Sequence, residues 1–132
     1  RPWAIKPNRA ECCDFAGRDL QTSEEMIAYA QSLNARGVEQ CLISLDREGL
    51  VYVGGEQVIR VEVPEVDVVS HVGAGDSCFA GFIAGMNQGF PLEKCVRTAA
   101  AMGTASCLRE GAEPPTKIAT ANILLQLQSS VE

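Results

Sequence analysis

Apolar residues recur at helical spacing in some stretches of this chain, run unbroken in one and alternate with polar residues in another, and each pattern predicts a different element. Met26, Ala30 and Leu33 lie three and four residues apart. Thr22 precedes them with Glu25 three positions later, a capping-box pattern, and Gly37 supplies the stop, which together predict a helix with one face on a sheet. CLISLD, Cys41 to Asp46, is a short apolar run between polar residues and predicts a strand covered on both faces, as in parallel sheets. Further on, LVYV and VIRVEV flank Gly54-Gly55, and Ile59, Val61 and Val63 alternate with Arg60 and Glu62, so a half-exposed antiparallel ribbon is expected. Helical spacing returns with Phe79, Phe82, Ile83 and Met86, predicting a helix from Asp76 to about Gln88 that Gly89 terminates. Pro91 belongs in the first turn of the next helix, to about Leu108, and a last helix is expected from Lys117 to Leu127 after Pro114-Pro115. Near the start, WAIK reads as the end of a buried strand, and Asn8 caps a short helix through about Phe15 that Gly17 stops.

A helix feeding a doubly covered strand is the second half of a βαβ unit, so the fold class is α/β. The 132 residues are enough for one core, with no repeat and no linker, so residues 1–132 are read as one domain or part of one. Opening on a strand, with nothing before it to pair with, suggests the later part of something larger. Composition narrows the partners. A formal net charge of −6 opposes non-specific attraction to nucleic acid, and charged residues interrupt the apolar middle before it reaches the roughly 18 residues a membrane span needs. Neither nucleic acid nor a membrane is an expected partner. The six cysteines, Cys12, Cys13, Cys41, Cys78, Cys95 and Cys107, include no C-x-x-C pair, and Cys41, Cys78 and Cys107 fall in apolar runs where a thiol behaves as a small hydrophobe. Reduced thiols fit a cytoplasmic protein, and RPWAIKPN has neither the apolar core nor the cleavage pattern of a signal peptide.

The stretch that suggests chemistry is VGAGDSCFAG, Val72 to Gly81. An extended segment, a Gly-x-Gly turn and a helix expose unpaired backbone N–H groups at the positive end of the helix dipole, where an anion can approach without a Cβ in the way. A tight strand-to-helix bend with Asp76 as its cap explains the same residues. Ser77, Cys78, Ala80, Gly81, Ala84 and Gly85 keep one side of the helix small, which suits either a nucleotide or another helix. On the residues alone both readings stand.

VGAGDSCFAGFIAG, Val72 to Gly85, resembles the C-terminal signature of the PfkB carbohydrate kinases, whose fold is ribokinase-like. IKPNRAE is similar to the family's N-x-x-E motif, here Asn8 and Glu11. SLDREG, Ser44 to Gly49, resembles its nucleotide-binding strand and turn, and AAAMGTASCLREGAEP the helix and loop over the adenine. IKPN with VGAGDS is most like the phosphosugar branch, which includes 1-phosphofructokinase, the minor 6-phosphofructokinase and tagatose-6-phosphate kinase. The resemblance implies the C-terminal half of a three-layer α/β/α sandwich, its sheet mainly parallel with the antiparallel ribbon at one edge.

By the same resemblance, Asp76 accepts the proton of a sugar hydroxyl as it attacks the γ-phosphorus of ATP. The amides of Gly73, Ala74, Gly75 and Asp76 form the anion hole for the transferring group. A carboxylate at a helix N-terminus is a weak base, which suffices where the transition state is loose. Asn8 and Glu11 share a helix face and would organise the water shell of Mg²⁺ on ATP; without the other motifs, capping propensity favours a helix cap followed by an ordinary first-turn acid. Lys6 is placed near the nucleotide phosphates, or is simply an exposed strand end, and Ser44, Asp46, Gly49, Ala100 and Thr104 are placed around the adenosine, where plain packing explains small residues at such spacing as well. Ser70 and Val72, with carbonyls near Gly111, are the residues of a K⁺ site in some members, which more often have an acid where this chain has Ser70. His71 reads as a wall or surface residue, and Cys12-Cys13 as core and helix surface.

Members of this family are well over twice as long, and their first half carries the sugar contacts and the lid. The chain is therefore expected to be the ATP-binding and catalytic part of a phosphosugar kinase, inactive without the missing N-terminal half; a homodimer is the assembly such a full-length protein admits. The alternatives are a truncated nucleotide-binding or interaction module without catalysis, and a kinase for an unphosphorylated sugar or nucleoside.

Overall fold

The structure, a computed structural model, describes residues 3–45, 49–63, 74–107 and 128–131. The chain divides into two compact units, Arg1–Arg60 with Ser130–Glu132, and Val61–Ser129.

The first unit begins with β1 (Ala4–Ile5), α1 (Arg9–Ala16), α2 (Ser23–Ala35) and β2 (Gln40–Ser44). β1 and β2 pair in parallel, Ala4 opposite Gln40 and Ile5 opposite Cys41, so the two helices form the crossover a parallel pair requires. Both helices start where the sequence predicts. Thr22 caps α2 by accepting from the Glu25 N–H at 3.1 Å, and Asn8 caps α1, which closes on Gly17 in the left-handed region at φ +69°. β2 is buried from Gln40 to Ile43, as expected of a strand covered on both faces. Cys12, Leu20, Met26, Ile27, Ala30, Cys41, Ile43 and Val53 belong to one core cluster that joins helices to sheet.

β3 (Leu50–Gly54) runs antiparallel to β2 from Ser44↔Leu50 to Gln40↔Gly54, and β4 (Gln57–Glu62) follows. Among the described residues the strand order is β1-β2-β3-β4-β5, with β5 at Gln128–Val131. Three features of the ribbon differ from expectation. β3 is buried along its whole length instead of half-exposed; it lies between β2 and β4 in the sheet, and α2 packs on it, with Val51 and Val53 in the core cluster. In β4 the neighbours Val58 and Ile59 are both buried, so only its ends and Arg60 keep the predicted alternation. The ribbon is also not the outermost element, since β5 lies beyond β4. The reversal falls one residue later than predicted, at Gly55 and Glu56, whose φ values of +54° and +65° match the twist of a tight hairpin. Gly54 is small for a different reason: a Cβ there would sit 2.7 Å from the Tyr52 hydroxyl and 2.7 Å from the Glu39 carbonyl oxygen. That hydroxyl donates to Gln40 Oε1 at 3.0 Å, satisfying a polar pair inside the sheet. The paired strands whose direction is described give one parallel and one antiparallel ladder, so the sheet is mixed.

The second unit holds α3 (Ala74–Asn87) and α4 (Leu92–Ser106). Gly89, at φ +75°, ends α3: its N–H and that of Phe90 donate to the carbonyls of Met86 and Gly85. Pro91 is the N-cap of α4, one position before the first turn in which the sequence placed it. Of the small residues of α3, Gly81 and Gly85 pack on α4 while Ala80 and Ala84 are exposed. A Cβ on Gly81 would meet Met102 Sδ at 2.8 Å and the Thr98 carbonyl at 3.1 Å, and one on Gly85 would meet Cys95 Cα at 3.2 Å. Phe82 and Cys78 complete that buried face, whereas Phe79 and Ile83 are only partly buried and Met86 is exposed. The helix predicted over 117–127 lies outside the described residues.

Candidate functional site

The sequence-predicted site residues fall into two groups, one in each unit. In the first unit the chain leaves β1 through Lys6 and Pro7 into Asn8, and β2 ends at Ser44. The two carboxyl ends of the parallel pair are joined there: Ser44 N–H donates to the Pro7 carbonyl at 3.2 Å, and Asn8 and Ser44 form a parallel bridge. Ligands of open α/β sheets bind outside the carboxyl ends of parallel strands, and this is such an end. Asn8 and Glu11 are both exposed, and Lys6 and Ser44 partly so. The segment after Ser44 turns back at once, Leu45 N–H donating to the Gly49 carbonyl at 2.8 Å with Gly49 at φ +95°, a left-handed conformation that favours glycine. Lys6, Asn8, Ser44 and Gly49 thus come to one end of the sheet. Asp46 lies outside the described residues.

Asn8 and Glu11 were open between a cap and a metal pair. The structure shows the cap in full: Asn8 Oδ1 accepts from the Glu11 N–H at 2.8 Å, and Glu11 Oε1 accepts from the Asn8 N–H at 3.1 Å. This uses one lone pair of Asn8 Oδ1 and one oxygen of Glu11. The exposed Glu11 Oε2 and the second lone pair of Asn8 Oδ1 are hard acceptors compatible with the outward-facing hydrogens of a magnesium ion's water shell, and the Asn8 NH2 is a donor suited to phosphate oxygens. Arg9, inside the same motif, donates from Nη1 to the Gln21 carbonyl at 2.9 Å and ties the start of α1 to the segment entering α2. Nothing in the sequence pattern singled it out, because the carbonyl it reaches belongs to a loop twelve residues away.

On the buried side of α1, Cys12 is 1 % exposed. Burial pushes its thiol up to about 11, with the charges of Cys13 and Glu11 acting in the same direction. Burial likewise raises Cys41 to about 11, with Cys12 adding to it. Cys13 is partly buried and its sulfur accepts from the Leu20 N–H at 3.3 Å, so it packs on the loop after α1 rather than facing solvent alone.

In the second unit α3 begins at Ala74, two residues before the predicted start, so Ala74, Gly75 and Asp76 are its first three residues instead of a preceding turn. The first amides of an α-helix have no partner within it, and this helix is 14 residues long, with its positive end at these residues. The Asp76 side chain is exposed in that same turn, and Gly75 is partly buried. On α4, Ala100 is buried and Thr104 is partly exposed. Gly73, Ser70, His71, Val72 and Gly111 lie outside the described residues.

Residues 1–119 match the family model described as pfkB family carbohydrate kinase. The chain is 42 % identical over 90 residues to the 1-phosphofructokinase of Haemophilus influenzae, covering 67 % of this chain and 29 % of that protein. Among solved structures it superposes on phosphofructokinase-2 from Escherichia coli in complex with potassium, with a TM-score of 0.85 at 29 % identity, over 93 % of this chain and 40 % of that one. Arabidopsis thaliana ribokinase complexed with ribose and ATP gives a TM-score of 0.82 at 29 % identity, over 92 % and 40 %. The chain therefore has ribokinase-like neighbours, and it spans roughly a third of the length of the curated relatives it matches (29 % and 36 % for two of them).

Proposed function

The chain belongs to the pfkB family of carbohydrate kinases, and on that premise we propose that it is the nucleotide-holding and catalytic part, the C-terminal portion, of an ATP-dependent kinase for a phosphosugar. The acceptor is a hydroxyl of fructose 1-phosphate, fructose 6-phosphate or tagatose 6-phosphate. Relatives named 1-phosphofructokinase support the phosphosugar class, and the ribokinase neighbour complexed with ATP supports the nucleotide.

The observation that carries this reading is the start of α3. Ala74, Gly75 and Asp76 put their amides at the positive end of a long helix, with an exposed carboxylate in the same turn. Those amides, with Gly73, stabilise the charge on the phosphoryl group as the bond from the γ-phosphorus to its bridging oxygen breaks. The acceptor oxygen forms the new P–O bond, and its proton passes to the Asp76 carboxylate. Proximity supplies much of the rest, since a loose transition state asks little of the base. Lys6, Ser44, Asp46, Gly49, Ala100 and Thr104 hold the nucleotide. Asn8 and Glu11 are the groups that fit the waters of Mg²⁺, which when bound neutralises phosphate charge. Ser70, Val72 and the Gly111 carbonyl would hold K⁺, a reading supported by the potassium complex of the E. coli neighbour.

The remainder of the kinase, its N-terminal half, supplies the sugar contacts, so this chain by itself turns over no sugar. The full-length protein is a cytoplasmic enzyme, with a homodimer as its assembly. Among the described residues no helix is long and apolar enough to cross a membrane. The test is Asp76→Asn in the full-length kinase: turnover of fructose 1-phosphate falls about 10²- to 10⁴-fold while ATP affinity is kept. Normal turnover by that variant overturns the assignment.

A further inference from the structure

We propose that the Ser106 hydroxyl is a further donor of the anion site at the start of α3, a binding group for a phosphoryl oxyanion supplied by the facing helix. This deepens the kinase reading above and rests on it. Ser106 is the last residue of α4 and is fully buried, at 0 % exposure. Among the described residues its Oγ has no hydrogen-bond partner. A buried hydroxyl left in that condition costs free energy, and a serine in a helix can avoid the cost by donating to the carbonyl four residues back. Ser106 does not do so, although Cys107 beside it does, donating from Sγ to the Gly103 carbonyl at 3.5 Å.

The helix contact fixes where this hydroxyl lies. A Cβ on Gly85 would meet Cys95, and one on Gly81 would meet Ala99 and Met102, so α4 runs antiparallel along α3, residue against residue. Cys95, Ala99, Met102 and Ser106 follow one another at steps of four, three and four residues, the stripe of a single helix face. Ser106, seven residues beyond Ala99, therefore comes level with Ala74, seven before Gly81, in the first turn of α3. The groups of that turn without helical partners are N–H donors at the positive end of a 14-residue helix. None of them donates to Ser106 Oγ, and Asp76, the exposed acid of the turn, makes no bond to it. An acceptor seated between hydroxyl and amides satisfies both at once, whereas a cation there meets the positive end of α3. The carbonyl end of α4 also reaches this level and repels an anion; a donor from α4 itself offsets that repulsion.

The experiment uses the full-length kinase with its Ser106→Ala and Ser106→Cys variants, of which one removes volume and the other adds it, while both lose the hydroxyl. Each is titrated calorimetrically with sodium pyrophosphate, and its urea midpoint is measured with and without that ligand. Without ligand, Ser106→Ala is expected to match or exceed the wild-type midpoint, because an unpartnered buried hydroxyl has gone. Pyrophosphate raises the wild-type midpoint and raises both variants less. Their affinity falls about tenfold, the low end for a hydrogen bond to a charged acceptor. A serine that only packs gives a different pattern, pyrophosphate affinity unchanged in both variants, and that result overturns the proposal. It is also overturned if the wild type binds no pyrophosphate, or if the variants lose a response to potassium chloride instead, the hydroxyl then accepting a cation. Turnover keeps the two readings apart. If Asp76→Asn phosphorylates sugar normally, the kinase assignment falls, yet weaker pyrophosphate binding in both Ser106 variants still supports the anion site and unchanged binding overturns it.

Discussion

Gly81 and Gly85 set the distance between α3 and α4, because there is no room at either for even one added carbon. At Gly81 an added Cβ meets Met102 Sδ at 2.8 Å, which a flexible side chain can relieve, but also the Thr98 carbonyl at 3.1 Å and Ala99 Cα at 3.2 Å, which are backbone. At Gly85 it meets Cys95 Cα at 3.2 Å. Alanine in a helix interior gains about 1 kcal/mol over glycine in propensity, while overpacking a tight contact costs about 1–3 kcal/mol. Gly81→Ala and Gly85→Ala are each expected to lower stability by about 1 kcal/mol net, measured as a reduced urea midpoint with unchanged slope; a stabilised variant would mean the helices part freely. The sequence showed that this side of α3 is small but left its purpose open, since glycine and alanine carry no contrast that marks a face. The structure divides the stretch: Gly81 and Gly85 serve packing, Ala80 and Ala84 face outward, and the first turn with Asp76 stays accessible.

At the scale of the element, the starts of α1 and α2 were legible because caps are local, whereas α3 begins two residues before its predicted start. Thr22 with Glu25 and Asn8 with Glu11 each place an oxygen acceptor three residues before an amide that needs one, and both bonds form, at 3.1 Å and 2.8 Å. Thr22→Ala is expected to cost about 1 kcal/mol, with the loss of protection in hydrogen exchange confined to the first turn of α2, and Thr22→Ser to cost much less. An unchanged first turn in the alanine variant would show that tertiary packing alone holds that end. The ribbon was less legible for the opposite reason. Alternation at Ile59, Arg60, Val61 and Glu62 reports which residues share a face, but not whether the other face is also covered. β3 is buried throughout, and burial of both side-chain faces depends on what lies above and below the sheet, which the alternation along one strand does not report.

For the molecule as a whole, motif order proved more informative than periodicity: Lys6 and Asn8, in the connection from β1 to α1, come to one end of the first unit's sheet with Ser44, the last residue of β2, and Gly49, just before β3. The core of that unit was legible as apolar positions but not as titrating groups. Cys12, directly after Glu11, and Cys41, within β2, both belong to the core cluster, and each thiol is raised from 9.0 to about 11, first by burial. The consequence for pH follows from linkage. A thiol whose folded value exceeds its unfolded value keeps its proton longer in the native state, so the unfolded chain releases protons first as pH rises. The stabilisation is complete below 9.0 and is lost as pH rises through 9.0 towards about 11. The Cys12 charge adds to the cost of ionising Cys41, so the two effects do not add independently. The urea midpoint of the first unit, followed by hydrogen exchange in β2 and α1, is therefore expected to fall between about pH 8 and about pH 10.5. Cys12→Ala/Cys41→Ala starts lower, having lost buried volume, but falls less steeply because the titrating groups are gone. Equal slopes in the two proteins would assign the alkaline loss to lysine and tyrosine ionisation and remove these thiols from the account.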